Sequence, residues 1–139
     1  MMWLQQNGMT IFMILFFLVF ALRGPLLARY YRIETLSVHD LSQRLATASP
    51  IVLIDVRTPG EFALAHVREA RSYPLGGLGR KAEELKKIVR DNDVAVICRT
   101  GNRSLMGSVT LKRLGIQKVY NVAGGMVHWE GQGYPVKRG

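Results

Sequence analysis

Residues 9–22 read M-T-I-F-M-I-L-F-F-L-V-F-A-L, an apolar run in which Thr10 is the one polar side chain. Carried back to Trp3, the uncharged stretch also takes in Gln5, Gln6 and Asn7. About 20 apolar residues cross the hydrocarbon core of a bilayer as a helix, so the pattern predicts one transmembrane helix over residues 1–22. Trp3 at one end and Tyr30–Tyr31 beyond the other suit the two interfaces. A secretory signal would carry a basic start and a small-x-small cleavage site. Here no Lys or Arg precedes the run, and it ends A-L-R-G-P-L-L-A. A small α/β domain also has little room for a helix that is apolar all round. Gly24-Pro25 predicts a helix stop, which makes residues 23–32 a basic juxtamembrane linker.

Past Arg32 the periodicity changes to short runs with helical stretches between them. Residues 33–36 form a strand candidate, and Ser37 caps a helix over Val38–Ala46. Residues 51–54, I-V-L-I before Asp55, read as a strand buried on both faces. Thr58-Pro59-Gly60-Glu61 has a cap, a proline at the first helical position and a glutamate three residues after the cap. That is a capping box, and it predicts a short helix over residues 61–65. Arg71-Ser72-Tyr73 is a small strand stopped by Pro74. An amphipathic helix follows over residues 81–89, then a turn at Asp91-Asn92-Asp93 and a second buried strand over residues 94–97. Residues 104–114 form a helix with Gly115 just past its end. Residues 118–122 are the last strand, followed by a helical stretch from Gly124-Gly125 to Glu130. Strands alternating with helices predict an α/β domain over residues 33–139, a central parallel sheet flanked by helices on both faces. Such sheets carry their sites at the C-terminal ends of strands, where Cys98 falls.

Charge and composition narrow the chemistry. The chain has 139 residues and a net charge of +9, and every Asp, Glu, Lys and Arg lies after Leu22. Arg23, Arg29 and Arg32 flank the apolar helix on one side only. The positive-inside rule then puts the domain in the cytoplasm, below a single-pass inner-membrane anchor. A single Cys excludes an internal disulfide and a dithiol pair. The three His are far apart, so no metal site and no cofactor are expected. The basic residues form no aromatic-interleaved stripe, so no nucleic-acid partner is expected either.

The segment Cys98-Arg99-Thr100-Gly101-Asn102-Arg103-Ser104 runs from a strand end to a helix start. Such a loop turns successive N–H groups inward as an anion-binding nest above a helix N-terminus. Gly101 and Asn102 are the residue types that tolerate positive φ. Arg99 and Arg103 add cations, and N–H donors, helix dipole and guanidinium charge all act to stabilise a thiolate. A free Cys is more often a small, inert core residue. The two Arg, the Gly and the polar helix opening argue for a nucleophile instead. Asp55 and Arg57 are candidate pocket residues, with Arg57 expected to pair with Glu61 or Asp55 and brace the turn. His66 is expected to be a hydrogen-bonded structural histidine.

The loop resembles the active-site loop of the rhodanese homology domain. The segment I-D-V-R-T-P-G-E-F (residues 54–62) is similar to that family's I-D-V-R-x-x-x-E-F signature. His66, Ala70 and Pro74-Leu75 match the pattern that follows it. Asn121-Val122-Ala123-Gly124-Gly125, with Trp129 and Gly133-Tyr134-Pro135, resembles its close. Ala65 stands where the family pattern has Gly, Arg68-Glu69 stands for Pro-Gly, and Arg71 is basic. The resemblance implies a rhodanese-like fold and a sulfurtransferase. Cys98 would take a sulfane sulfur from a donor such as thiosulfate as a persulfide, then pass it to a thiol or cyanide. It further implies that backbone groups of residues 99–103 stabilise the persulfide, that Arg99 and Arg103 hold the donor's oxygens, and that Thr100, Gly101, Asn102 and Ser104 complete the substrate-binding loop. Phosphatases of the same fold have a loop one residue longer, Cys-x5-Arg. Arg103 gives Cys-x4-Arg here, which favours sulfur over phosphate and argues against a phosphatase or arsenate reductase. A non-catalytic rhodanese-like module at the membrane is the main alternative. Many domains of that fold lack the cysteine, and this chain has it.

Overall fold

The computed structural model describes residues 1–47 and 51–139. Its elements run α1 (Met2–Tyr30), β1 (Glu34–Leu36), α2 (Val38–Ala46), β2 (Ile51–Asp55), α3 (Pro59–Leu64), β3 (Arg71–Ser72), α4 (Ala82–Val89), β4 (Asp93–Ile97), α5 (Asn102–Arg113), β5 (Val119–Val122) and α6 (Gly125–Gly131). The five strands are parallel, in the order β1-β5-β4-β2-β3. From β2 the chain moves outward to β3, and from β4 it moves the other way to β5. The order therefore reverses between β2 and β4, whose ends Asp55 and Ile97 are register partners. A crevice opens at such a reversal.

Alternation along the strands builds two cores. Leu53 of β2 and Ala95 and Ile97 of β4 pack with Val38 and Leu41 of α2 and Met126 and Trp129 of α6. Ile54, Val94 and Val96 face the other way, against Leu85 and Val89 of α4 and Leu111 of α5. Both faces of the sheet are covered, which is why β2 and β4 read as unbroken apolar runs. Burying each such side chain contributes about 1.5–3 kcal/mol, far more than any surface ion pair here.

Two expected caps are present. Ser37 Oγ accepts from Asp40 N at 3.0 Å. Thr58 Oγ1 accepts from Glu61 N at 3.3 Å while Glu61 Oε1 accepts from Thr58 N at 3.4 Å. Two short 3-10 turns, Leu75–Gly77 and Gly79–Lys81, precede α4 and were not expected. Leu78, between the two turns, is wholly buried.

The linker is corrected. No helix stop occurs at Gly24-Pro25, and α1 continues unbroken to Tyr30 with Pro25 inside it. A proline costs a helix interior about 3 kcal/mol, through a lost N–H and a clash with the carbonyl four residues back. Packing on α5 offsets this. The Gly24 Cα position faces Leu105 at van der Waals range, with Cδ2 3.6 Å from where a Cβ would sit. Arg113 Nε donates to the Tyr31 hydroxyl at 3.1 Å, and its guanidinium lies over the Tyr31 ring. The helix is long and apolar enough to cross a membrane, with mean hydropathy 2.4 over its apolar window and none of that window buried.

Candidate active site

Cys98 follows the last residue of β4, on the side of the sheet that α5 covers. It is 1% exposed and packs among Ile54, Val96 and Leu78. The chain then curls over it. Gly101 has φ +106°, a conformation L side chains rarely adopt, and this aims its N–H at Cys98 Sγ, 3.1 Å away. With Gly101 as the cap, α5 begins at Asn102, two residues before the expected start. Asn102 and Arg103 therefore belong to the helix's first turn.

The loop is held open from the far side by α6. Met126 N donates to Cys98 O at 2.8 Å and Val127 N to Arg99 O at 3.0 Å. These are orphan donors of a helix N-terminus, and using them here turns two loop carbonyls outward. Among the described residues, the N–H groups of Arg99, Thr100, Asn102 and Arg103 then find no acceptor. Gly125 makes the approach possible. A Cβ there would stand 2.3 Å from Cys98 O, and its φ is +53°.

Beneath the loop lies a buried polar chain. Cys98 Sγ and Ser104 Oγ are 3.2 Å apart, with the thiol donating, and Ser104 Oγ donates to Asn121 Oδ1 at 2.5 Å. Asn121 Nδ2 donates in turn to Gly101 O at 3.2 Å. One amide thus fixes both groups that touch the sulfur. Sequence reasoning missed Asn121 as a site residue. The available signal was its place in V-Y-N-V, where an inward polar side chain on a buried strand must find partners.

The expected donor-binding pair of arginines separates. Arg103 is engaged by Glu61 through Nη1–Oε1 at 2.7 Å and Nη2–Oε2 at 2.8 Å. The Arg103 guanidinium, with help from Thr58, holds the Glu61 carboxyl down from 4.5 to about 2 against partial burial. Glu61 in turn raises Arg103. Arg99 is exposed, and among the described residues it has no ion-pair partner. The loop's uncompensated cation is therefore Arg99 alone.

Arg57 pairs with Asp55, not with Glu61. Its Nε and Nη2 reach the Asp55 carboxylate at 2.8–3.1 Å, and Nη2 also donates to Ala65 O at 2.7 Å. Both side chains are buried and spent on bracing the turn after β2. His66 is buried, stacked on Phe62 with Nδ1 2.7 Å from Phe62 O, and it exchanges backbone hydrogen bonds with Lys137. Ala65 takes an extended backbone, φ −168°, so the family's glycine is not needed there.

The pattern of the rhodanese-like domain matches residues 37–132. The chain belongs to the rhodanese-like domain family. Its relatives include a sulfurtransferase of Allochromatium vinosum, 33% identical over 104 residues, covering 75% of this chain and 94% of that one. A putative sulfur carrier protein of Bacillus subtilis is 32% identical over 100 residues, 72% of this chain but 52% of the relative. The crystal structure of a rhodanese-related protein from Thermoplasma volcanium superposes with a TM-score of 0.63. Its sequence is 32% identical, and the match covers 75% of this chain and 97% of the other. The rhodanese-like domain thus lies in the part of the chain that follows α1.

Proposed function

We propose that this chain is a membrane-anchored sulfurtransferase that carries sulfane sulfur on Cys98. The observation that carries the reading is the pairing of one buried thiol with an inward N–H at 3.1 Å, under a loop whose neighbouring N–H groups have no acceptor among the described residues. Donors arranged in that way would stabilise an extra sulfur atom bearing negative charge on Cys98.

In the first step the Cys98 thiolate attacks the outer sulfur of a donor such as thiosulfate. A new S–S bond forms to Cys98, the donor's S–S bond breaks, and sulfite leaves with the electron pair. The persulfide anion is stabilised by the loop N–H groups, preorganised electrostatic donors. In the second step a thiolate or cyanide attacks the outer sulfur, the Cys98–sulfur bond breaks and the Cys98 thiolate returns. This is covalent catalysis in two half-reactions, and it uses one cysteine and no cofactor. Arg99 attracts the donor's anionic oxygens, Arg103 with Glu61 fixes the loop against α3, and Asp55, Arg57 and His66 support the turn beside it. Thr100, Gly101, Asn102 and Ser104 form the rest of the loop around the sulfur.

Residues 1–22 anchor the domain as a single-pass inner-membrane helix, with the catalytic domain on the cytoplasmic side where Arg23, Arg29 and Arg32 lie. Mass spectrometry of the full chain after thiosulfate treatment tests the chemistry. One added sulfur on wild type and none on Cys98→Ser is expected, and an adduct that survives the substitution overturns the reading. A second reading, a non-catalytic membrane module, predicts no adduct on either chain.

A further inference from the structure

The path of the chain fixes which end of the domain faces α1's apolar segment. In a parallel sheet β1 begins at the edge opposite the Cys98 loop, so the helix that feeds β1 must finish at that far edge. α1 reaches it by running side by side with α5 in the same direction. Gly24 lies against Leu105 and Met106 near the start of α5, and Tyr31 meets Arg113 at its end. A cleft of about 440 Å³ between Phe20–Pro25 and Asn102, Leu105 and Met106 marks the same alignment. Of the 29 residues of α1, those up to Leu22 supply the roughly 30 Å a hydrocarbon core needs. The charged remainder extends only about 12 Å beyond, alongside α5. The first charge, Arg23, is therefore level with the first turn of α5 and with the loop that opens it.

A separate observation concerns the rim. Past α1, two large apolar side chains are exposed among the described residues: Leu64 at 75% and Val127 at 47%. Both belong to helices tied to the Cys98 loop. Val127 of α6 donates its N–H to Arg99 O, and Leu64 ends α3, whose Glu61 pairs with Arg103 of the loop. The two exposed apolar side chains thus sit on helices joined to the loop at the end of the sheet that the path of α1 turns toward the bilayer.

We propose that this end of the domain rests on the headgroup layer of an anionic bilayer, so that the mouth of the Cys98 loop opens at the membrane surface. This rests on the reading of residues 1–22 as a membrane anchor. Leu64 and Val127 dip into the interface, as apolar side chains of surface-bound segments do, and Arg23 meets the anionic headgroups. The sulfur donor and acceptor of Cys98 then enter laterally through the headgroup layer, which favours carriers held at that surface over solutes of the bulk.

The test uses the full chain in vesicles of phosphatidylcholine and phosphatidylglycerol containing a lipid with a nitroxide on its headgroup. In a Cys98→Ser background, Leu64→Cys, Val127→Cys and, at the opposite edge of the sheet, Asp91→Cys are each labelled with bimane. Labels at 64 and 127 are expected to be quenched about twofold or more relative to the label at 91. Equal quenching at all three positions overturns the proposal, as does shielding of 64 and 127 without lipid quenching, which would mean another occupant. Retention of the chain in vesicles after an alkaline wash is measured in parallel. A retained chain with an unquenched rim overturns this inference alone, whereas a chain that washes off overturns the anchor and the inference together.

Discussion

Arg103 and Glu61 form a two-pronged ion pair, with both guanidinium nitrogens within 2.8 Å of the carboxylate, and it ties the Cys98 loop to the start of α3. The same Glu61 closes the capping box of α3 with Thr58. One carboxylate thus joins a helix cap to the loop that surrounds the sulfur.

The first prediction concerns acid. Glu61 is held at about 2 in the folded chain against an ordinary 4.5. Its contribution to stability is present in full above about 4.5 and is lost as pH falls through about 2. Glu61→Gln should therefore lower the melting temperature at neutral pH, and the gap to wild type should close progressively below pH 4.5. Melting curves of the detergent-solubilised chain across that range check this. A gap independent of pH would mean that the carboxylate charge does not stabilise the loop.

The two loop arginines should behave differently. Arg99→Ala removes an exposed, unpaired cation and should raise KM for thiosulfate about fivefold, with little change in kcat or melting temperature. A screened surface charge is worth about 1 kcal/mol. Arg103→Ala leaves Glu61 without its partner and should lower both stability and kcat. Steady-state kinetics with melting curves separate the two. Equal effects on KM would return Arg103 to donor binding.

Asn121→Ala removes the acceptor of Ser104 and the donor to Gly101 O in one change. Leaving buried Ser104 short of a partner should cost about 1–3 kcal/mol, and Cys98 should accept sulfur more slowly because its donor loop is no longer fixed. Urea midpoints and single-turnover sulfite release measure the two effects. Wild-type release by a destabilised chain would make Asn121 structural only.

Gly125→Ala places a methyl 2.3 Å from Cys98 O at a left-handed backbone position, so the loop must shift. A loss of about 1–2 kcal/mol from the backbone conformation alone, with most of the transfer activity, is expected. Gly131→Ala on the same helix meets nothing within 4 Å and serves as the control, neutral or slightly stabilising. The prediction fails if the two variants are equally active.

Much of this was legible in the chain. The strands β2 and β4 are apolar on both faces and bounded by polar turns, and the caps at Ser37 and Thr58 are local, so short-range rules find them. What escaped depends on distant partners. Arg103 reads as a free cation until α3 brings Glu61, 42 positions earlier, against it. Asn121 reads as one polar residue in a strand until the sheet sets it beneath Ser104. Pro25 reads as a stop because the packing that keeps its helix intact comes from α5, some eighty residues on.

The measurement that bears most directly on sulfur transfer is the stoichiometry of sulfite release with no acceptor present. The account predicts a burst of one sulfite per chain from thiosulfate, accompanied by one sulfur retained on Cys98 and discharged when a thiol is added. Sulfite released without retained sulfur, or an equal burst from Cys98→Ser, would contradict it.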